Sequence, residues 1–136
     1  MCRQHKLKVP DGKRESILLF FDVSHASARY YKGCPDEIKD PNNPAYELVD
    51  VLQDMATTVI ASTFGKWEVL KRAREADEVY LCGVSTDCCV LSTALAAVDG
   101  GPRVFVVENA CAAENASQHQ KALEIMRGYS PNLEFR

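Results

Sequence analysis

Two cysteines, Cys88 and Cys89, stand side by side directly after the apolar run Val79-Tyr80-Leu81-Cys82-Gly83-Val84 and its break at Ser85-Thr86-Asp87. A cysteine just past a strand and in the first turn of the next helix meets unpaired amide N–H groups and the positive end of the helix dipole. Both favour thiolate over thiol. A thiolate there can attack a carbonyl carbon, and backbone N–H groups of the same turn can receive the oxyanion of a tetrahedral intermediate. Asp22 closes a second apolar run, Ile17-Leu18-Leu19-Phe20-Phe21. It is a carboxylate with no local charge partner, suited to take a thiol proton or to orient a water. On placement alone, a buried structural cysteine remains an open alternative to a nucleophile.

These residues must be held by an alternation of buried strands and amphipathic helices. Ile17 to Phe21 reads as a strand buried on both faces of a parallel sheet. Residues 23–43 are loop-like, and Asn43-Pro44 predicts a capped helix start with Leu48, Leu52 and Met55 on one face. Thr57 to Ala61 is short and β-branched, hence a strand. Lys66 to Glu75 carries Trp67, Leu70, Ala73 and Arg74 at helical spacing. Val79 to Val84 is the next strand, followed by a helix with Leu91, Leu95 and Val98 on its packing face and Ala94, Ala96 and Ala97 allowing close approach. Gly100-Gly101-Pro102 ends it. Val104 to Val107 is another strand, Ser117 with Gln120 reads as a capping box opening a last helix, and Leu133 to Phe135 reads as a short edge strand. The pattern predicts an α/β fold, a three-layer α-β-α sandwich on a mostly parallel, doubly wound (Rossmann-like) sheet. Ligands of such sheets sit beyond the carboxyl ends of the strands. That rule selects Asp22, the Ala61 to Lys66 turn and the Ser85 to Cys89 turn.

Composition bounds the rest. At 136 residues the chain has room for one domain, and 46% hydrophobic with 26% charged residues excludes a disordered or fibrous chain. We divide it into a basic, flexible N-terminal arm (1–15, with Arg3, Lys6, Lys8, Lys13 and Arg14) and a single domain (16–136). The formal net charge of −3 gives no electrostatic case for nucleic acid or an anionic membrane. The apolar runs are too short to span a bilayer. No apolar signal region follows the first residue, so a cytoplasmic location is expected, with the six cysteines (Cys2, Cys34, Cys82, Cys88, Cys89 and Cys111) as thiols. No Cys-x-x-Cys or closely spaced histidine pair supports zinc.

The segment Gly83-Val84-Ser85-Thr86-Asp87-Cys88-Cys89-Val90, continuing into Leu91-Ser92-Thr93-Ala94-Leu95-Ala96-Ala97, closely resembles the nucleophile segment of the isochorismatase-like cysteine hydrolases. That superfamily includes nicotinamidases, N-carbamoylsarcosine amidases and isochorismatases. Val106 to Ala113 resembles its next strand and acidic-x-Ala-Cys turn, and His119 to Pro131 is similar to its last helix. The resemblance implies a triad of aspartate, lysine and cysteine. By motif position Cys89, not Cys88, is the nucleophile. The amides of Ser85 and Cys89 form the oxyanion hole, across a cis peptide between Val84 and Ser85, and Asp22 fits the family aspartate. The family lysine aligns with Ala61, and Lys66 is the nearest substitute. The alternative for Lys66 is a solvated first-turn lysine beside a packed Trp67.

Related enzymes carry a further helix and strand after the aspartate, inside the sheet. Here nothing between Asp22 and Tyr46 supplies them, which implies a version shortened by one βα unit. His25 and Asp22 do not reproduce the Asp-x-His metal site of nicotinamidases, so neither metal nor cofactor is expected and His25 reads as a loop histidine. The expected function is hydrolysis of a small amide or ureido C–N bond through a thioester on Cys89, by a protein that is at least a dimer by analogy. The alternative is a catalytically impaired relative acting as a binding or oligomeric subunit. A redox pair of Cys88 and Cys89 is a third reading, disfavoured by the backbone distortion that a vicinal disulfide requires. Phe64 and Trp67 could line an apolar pocket wall or be core.

Overall fold

A computed structural model describes residues 2–6, 16–21, 57–59 and 63–136 of the chain. Among the described residues six strands form one sheet: β1 (Cys2–Lys6), β2 (Ser16–Phe21), β3 (Thr57–Val59), β4 (Glu78–Val84), β5 (Arg103–Ala112) and β6 (Leu133–Phe135), in the order β3-β1-β2-β4-β5-β6. β2, β4, β5 and β6 run parallel, whereas β1 is antiparallel to both β2 and β3. The helices among the described residues are α1 (Lys71–Arg74), α2 (Leu91–Asp99) and α3 (Ala116–Tyr129), with a 3₁₀ turn at Trp67–Val69 and a π-helical turn at Thr86–Val90. The fold is therefore an α/β sandwich on a mostly parallel sheet, as the alternating pattern requires.

The N-terminal segment departs from its expected role as a basic arm: Cys2–Lys6 is a paired strand inside the sheet. Strand pairing uses backbone groups that any non-proline residue supplies, so a charged segment without an apolar period can be recruited. β1 sits between β2 and β3, a position inside the sheet of the kind the shortened chain was expected to leave vacant.

One face of the sheet carries the main core. Val79 and Leu81 of β4 and Val104 and Val106 of β5 are fully buried with Val90, Ala94 and Ala97, and α3 adds Leu123 and Met126. Alanines on α2 let its backbone approach the sheet closely, as small residues on a packing face do. Trp67, Leu70 and Ala73 join this core. They were expected on one continuous helix, but the chain instead turns in a 3₁₀ segment, breaks at Leu70 (φ −91°, ψ 62°) and resumes as the four residues of α1. The spacing still places all three inward, while Arg74 is exposed. On the opposite face Tyr80 stacks on Phe105, ring centroids 4.7 Å apart, and the guanidinium groups of Arg103 and Arg136 lie over the Phe105 ring. Arg103 also bridges Glu78 (3.2 Å) and Glu134 (2.5 Å), joining three neighbouring strands.

Two boundaries differ from the sequence pattern. β5 runs past Val107 to Ala112, made possible by a register shift against β4 between Leu81 and Gly83. The last helix is capped by Asn115, not Ser117. The Asn115 side chain accepts the Gln118 N–H at 3.0 Å and donates to the Gln118 side-chain oxygen at 2.7 Å. Asparagine at that position fills the role assigned to serine two residues later. The Asn43-Pro44 helix start and its apolar face lie outside the described residues.

At the end of α2, Gly101 takes φ +110°, the left-handed conformation that closes a helix. Gly100 before it is required for a different reason. A Cβ there would stand 2.6 Å from Trp67 Nε1 and 2.9 Å from its Cζ2. Gly100→Ala must therefore displace a buried indole, and we expect a loss of about 1–3 kcal/mol in urea unfolding. A variant as stable as the parent would show that Trp67 can move freely.

Candidate active site

β4 ends at Val84, and the chain passes from a paired strand into a helix within a few residues. Gly83 has φ +105°, the Val84–Ser85 peptide bond is cis, as the family resemblance implies, and Ser85 is extended. Thr86–Val90 then forms a π-helical turn. The Ser85 carbonyl accepts from both Cys88 N–H (3.1 Å) and Val90 N–H (3.2 Å), and the Leu91 N–H reaches back to the carbonyls of Cys88 and Thr86. Such single π turns occur frequently at functional sites, where they re-aim a side chain without breaking the helix.

Cys89 sits inside this turn, half-buried, its side chain packed at the edge of the main core. It is neither walled in nor fully exposed. Cys88 is also half-buried, and burial together with the Asp87 carboxylate beside it pushes its thiol pKa up. A raised pKa keeps the Cys88 thiol protonated at neutral pH. Cys82 and Cys111 are pushed up to about 11, chiefly by burial. Cys82, Cys88, Cys89 and Cys111 form no disulfide, and no group of three or more potential metal ligands occurs among the described residues.

Three contacts outside the backbone hold the turn. The Ser85 hydroxyl donates to the Asp87 carboxylate. Ser92 Oγ donates to the Cys88 carbonyl at 2.5 Å and approaches the Cys89 carbonyl at 3.5 Å. Thr86, completely buried, places Oγ1 2.9 Å from Nδ1 of His119 on α3. This last contact spans 33 residues in sequence. Sequence reasoning placed His119 only at the start of the last helix, because no periodicity or spacing connects residues so far apart.

Lys66 is buried, at 2% exposure, so the solvated alternative is excluded. Its backbone N–H donates to Thr93 Oγ1 at 3.0 Å, and its Nζ donates to the Thr63 carbonyl. Thr93 lies one helical turn beyond Cys89. A Cβ on Gly65 would sit 3.8 Å from the Ser92 side chain. The Thr63 to Lys66 segment thus packs on the helical turn that follows the cysteine. Trp67 is core, while Phe64 is half-buried. Asp22, Ala61 and His25 lie outside the described residues. The strand leading to Asp22 is described to Phe21, which pairs with Gly83 of β4. The carboxyl ends of β2 and β4 are therefore neighbours at the level of the cis bond.

A model of the isochorismatase domain matches residues 47–132. The chain belongs to the isochorismatase family. Isochorismatase domain-containing protein 2 of Xenopus laevis is 37% identical over 126 residues, an alignment covering 84% of this chain and 62% of that protein. The uncharacterized isochorismatase family protein YecD of Escherichia coli O157:H7 is 39% identical over 56 residues, 41% of this chain and 30% of its own. This chain thus spans less than two thirds of the length of these curated relatives. The crystal structure of an isochorismatase family protein from Desulfovibrio vulgaris superposes with a TM-score of 0.60 at 22% identity, over 71% of this chain and 54% of that one. It supports the same fold. The family match includes the whole Ser85 to Cys89 turn and begins after Asp22.

The thiols give a pH prediction. Cys82 and Cys111 titrate near 11 when folded and near 8.5 when unfolded. A raised pKa means the folded state holds its proton longer, so this contribution to stability is complete below about pH 8.5. It is lost progressively as pH climbs toward 11. Urea unfolding at pH 8, 9.5 and 10.5 should show falling stability, with the fall reduced in Cys82→Ala and Cys111→Ala. A flat profile would show that these two thiols are not shielded.

Proposed function

We propose that this protein is a cysteine hydrolase that cleaves a small amide or ureido C–N bond. The observation that carries the reading is the placement of Cys89: half-buried in a π turn at the carboxyl end of a central parallel strand, beside the end of β2. Cys89 Sγ attacks the substrate carbonyl carbon while its proton passes to the Asp22 carboxylate. The amide N–H groups of Ser85 and Cys89 receive the developing oxyanion. The tetrahedral intermediate collapses, the C–N bond breaks, and the proton held by Asp22 goes to the leaving nitrogen. Water, oriented by the same carboxylate, attacks the thioester, releasing a carboxylic or carbamic acid and restoring the thiol. Atoms balance as one substrate and one water giving one amine or ammonia and one acid.

Lys66 completes the proposed triad as the substitute for a family lysine at the Ala61 position. Its burial, with the backbone N–H bonded to Thr93 one helical turn beyond Cys89, supports the assignment, because an ammonium close to a sulfur anion favours the charged form. A cysteine at position 89 favours amidase over isochorismatase chemistry, since vinyl ether cleavage needs no cysteine nucleophile. The reading includes a small-molecule substrate, no nucleic-acid or membrane partner, no cofactor, a homo-oligomer and a cytoplasmic setting. No helix among the described residues is long and apolar enough to cross a membrane.

A screen of the full chain over small amides, ureido compounds and nicotinamide tests the proposal. Turnover should fall by at least about a thousandfold in Cys89→Ala. Activity that survives this substitution sinks the mechanism. No turnover of any substrate class, together with a Cys89 that alkylates no faster than the buried cysteines, favours instead an inert relative serving as a binding or oligomeric subunit.

A further inference from the structure

We propose that His119 is a positioning residue of the nucleophile turn: through Thr86 it holds the Ser85 to Cys89 backbone in register and thereby sets the reactivity of Cys89. The inference rests on the reading of Cys89 as the nucleophile.

Thr86 directly follows Ser85 and precedes Cys89 by three residues. Its side chain is completely buried, and a buried hydroxyl demands a partner. His119 Nδ1 at 2.9 Å supplies one from a different element. Threonine is β-branched and stiff at χ1, so fixing Oγ1 also fixes the Cα–Cβ direction and with it the backbone of the turn. The regular helical ladder begins only at Leu91, so the contact from α3 adds to the turn's own hydrogen bonds a restraint from a separate element.

α3 can supply it because its own position is well determined. Ala122, Leu123 and Met126 are buried, the Asn115 side chain caps its first turn, and the His119 N–H donates to the Asn115 carbonyl at 3.1 Å. The imidazole therefore stands on a rigid element one bond away from a turn that needs rigidity. A hydroxyl both donates and accepts, so the Nδ1 contact persists in either neutral tautomer and in the imidazolium. The role is mechanical, and a side chain that places a polar atom near Nδ1 can take it over.

The test measures the iodoacetamide alkylation rate of Cys89 at pH 8 by peptide mapping in the full chain. His119→Ala and Thr86→Val should each slow Cys89 about five- to tenfold, and the double variant should be no slower than either. His119→Asn, which carries an amide near the position of Nδ1, and Thr86→Ser should stay within about twofold of the parent. The buried Cys82 remains unlabelled and the half-buried Cys111 labels slowly in a folded variant, and faster labelling of them reports the loss of the fold. If His119→Ala exposes them, the comparison of Thr86→Val with Thr86→Ser carries the test. A folded His119→Ala that alkylates within twofold of the parent overturns the proposal. So does His119→Asn falling as far as His119→Ala, or a double variant whose effects multiply. Should Cys89 of the parent label no faster than the other cysteines, the hydrolase reading fails and the positioning role falls with it. Fast parental labelling that no variant alters overturns the positioning role alone.

Discussion

The parallel pairing of β2 with β4 governs this molecule. With Phe21 opposite Gly83 the two strands end together, and the Ser85 to Cys89 turn leaves from that edge. Parallel strands need crossover segments on the sheet faces, which leaves the carboxyl edge open as a rim of turns. The Ser85 to Cys89 turn occupies the centre of that rim. Its amides and its sulfur have their positions because β4 cannot continue beyond Val84 and α2 does not begin until Leu91.

The core on the helix-covered face explains how so short a turn stays in place. Val90 is fully buried immediately after Cys89, and Thr93, Ala94 and Ala97 follow at helical spacing. The end of the turn is therefore anchored by apolar burial, of the order of 25 cal/mol per Å² removed from water. Thr93 adds a polar anchor by receiving the Lys66 N–H, so the segment before the 3₁₀ turn is tied to the helix that follows the cysteine. Trp67, wedged against Gly100, ties the other end of that helix to the same segment. The helix that follows the cysteine is thus held at both ends by buried contacts.

Charge is distributed differently. The ion pairs formed by Arg103, Arg127 and Arg136 with glutamates are partly exposed, and pairs of that kind contribute little stability individually. Their guanidinium groups also cover the Phe105 and Phe135 rings. They shield apolar surface on that strand edge, while β6, only three residues long, is held by the buried Leu133 and by the Arg136 N–H donating to the Val106 carbonyl at 2.9 Å.

The sequence by itself determined the strands at Ile17 to Phe21 and Val79 to Val84, the inward spacing of Trp67, Leu70 and Ala73, and the position of Cys89 at a strand end. Each of these follows from local rules: apolar runs for buried parallel strands, a 3.6-residue period for helices, and glycine where a helix stops. Only the tertiary structure decided the recruitment of Cys2–Lys6 as a strand, the break at Leu70, the cap at Asn115, the burial of Lys66 and the contact of His119 with Thr86. The difference has a physical cause. Local conformational preference is written in neighbouring residues, whereas backbone pairing and a buried hydroxyl's partner depend on groups that the folded chain brings together across tens of residues.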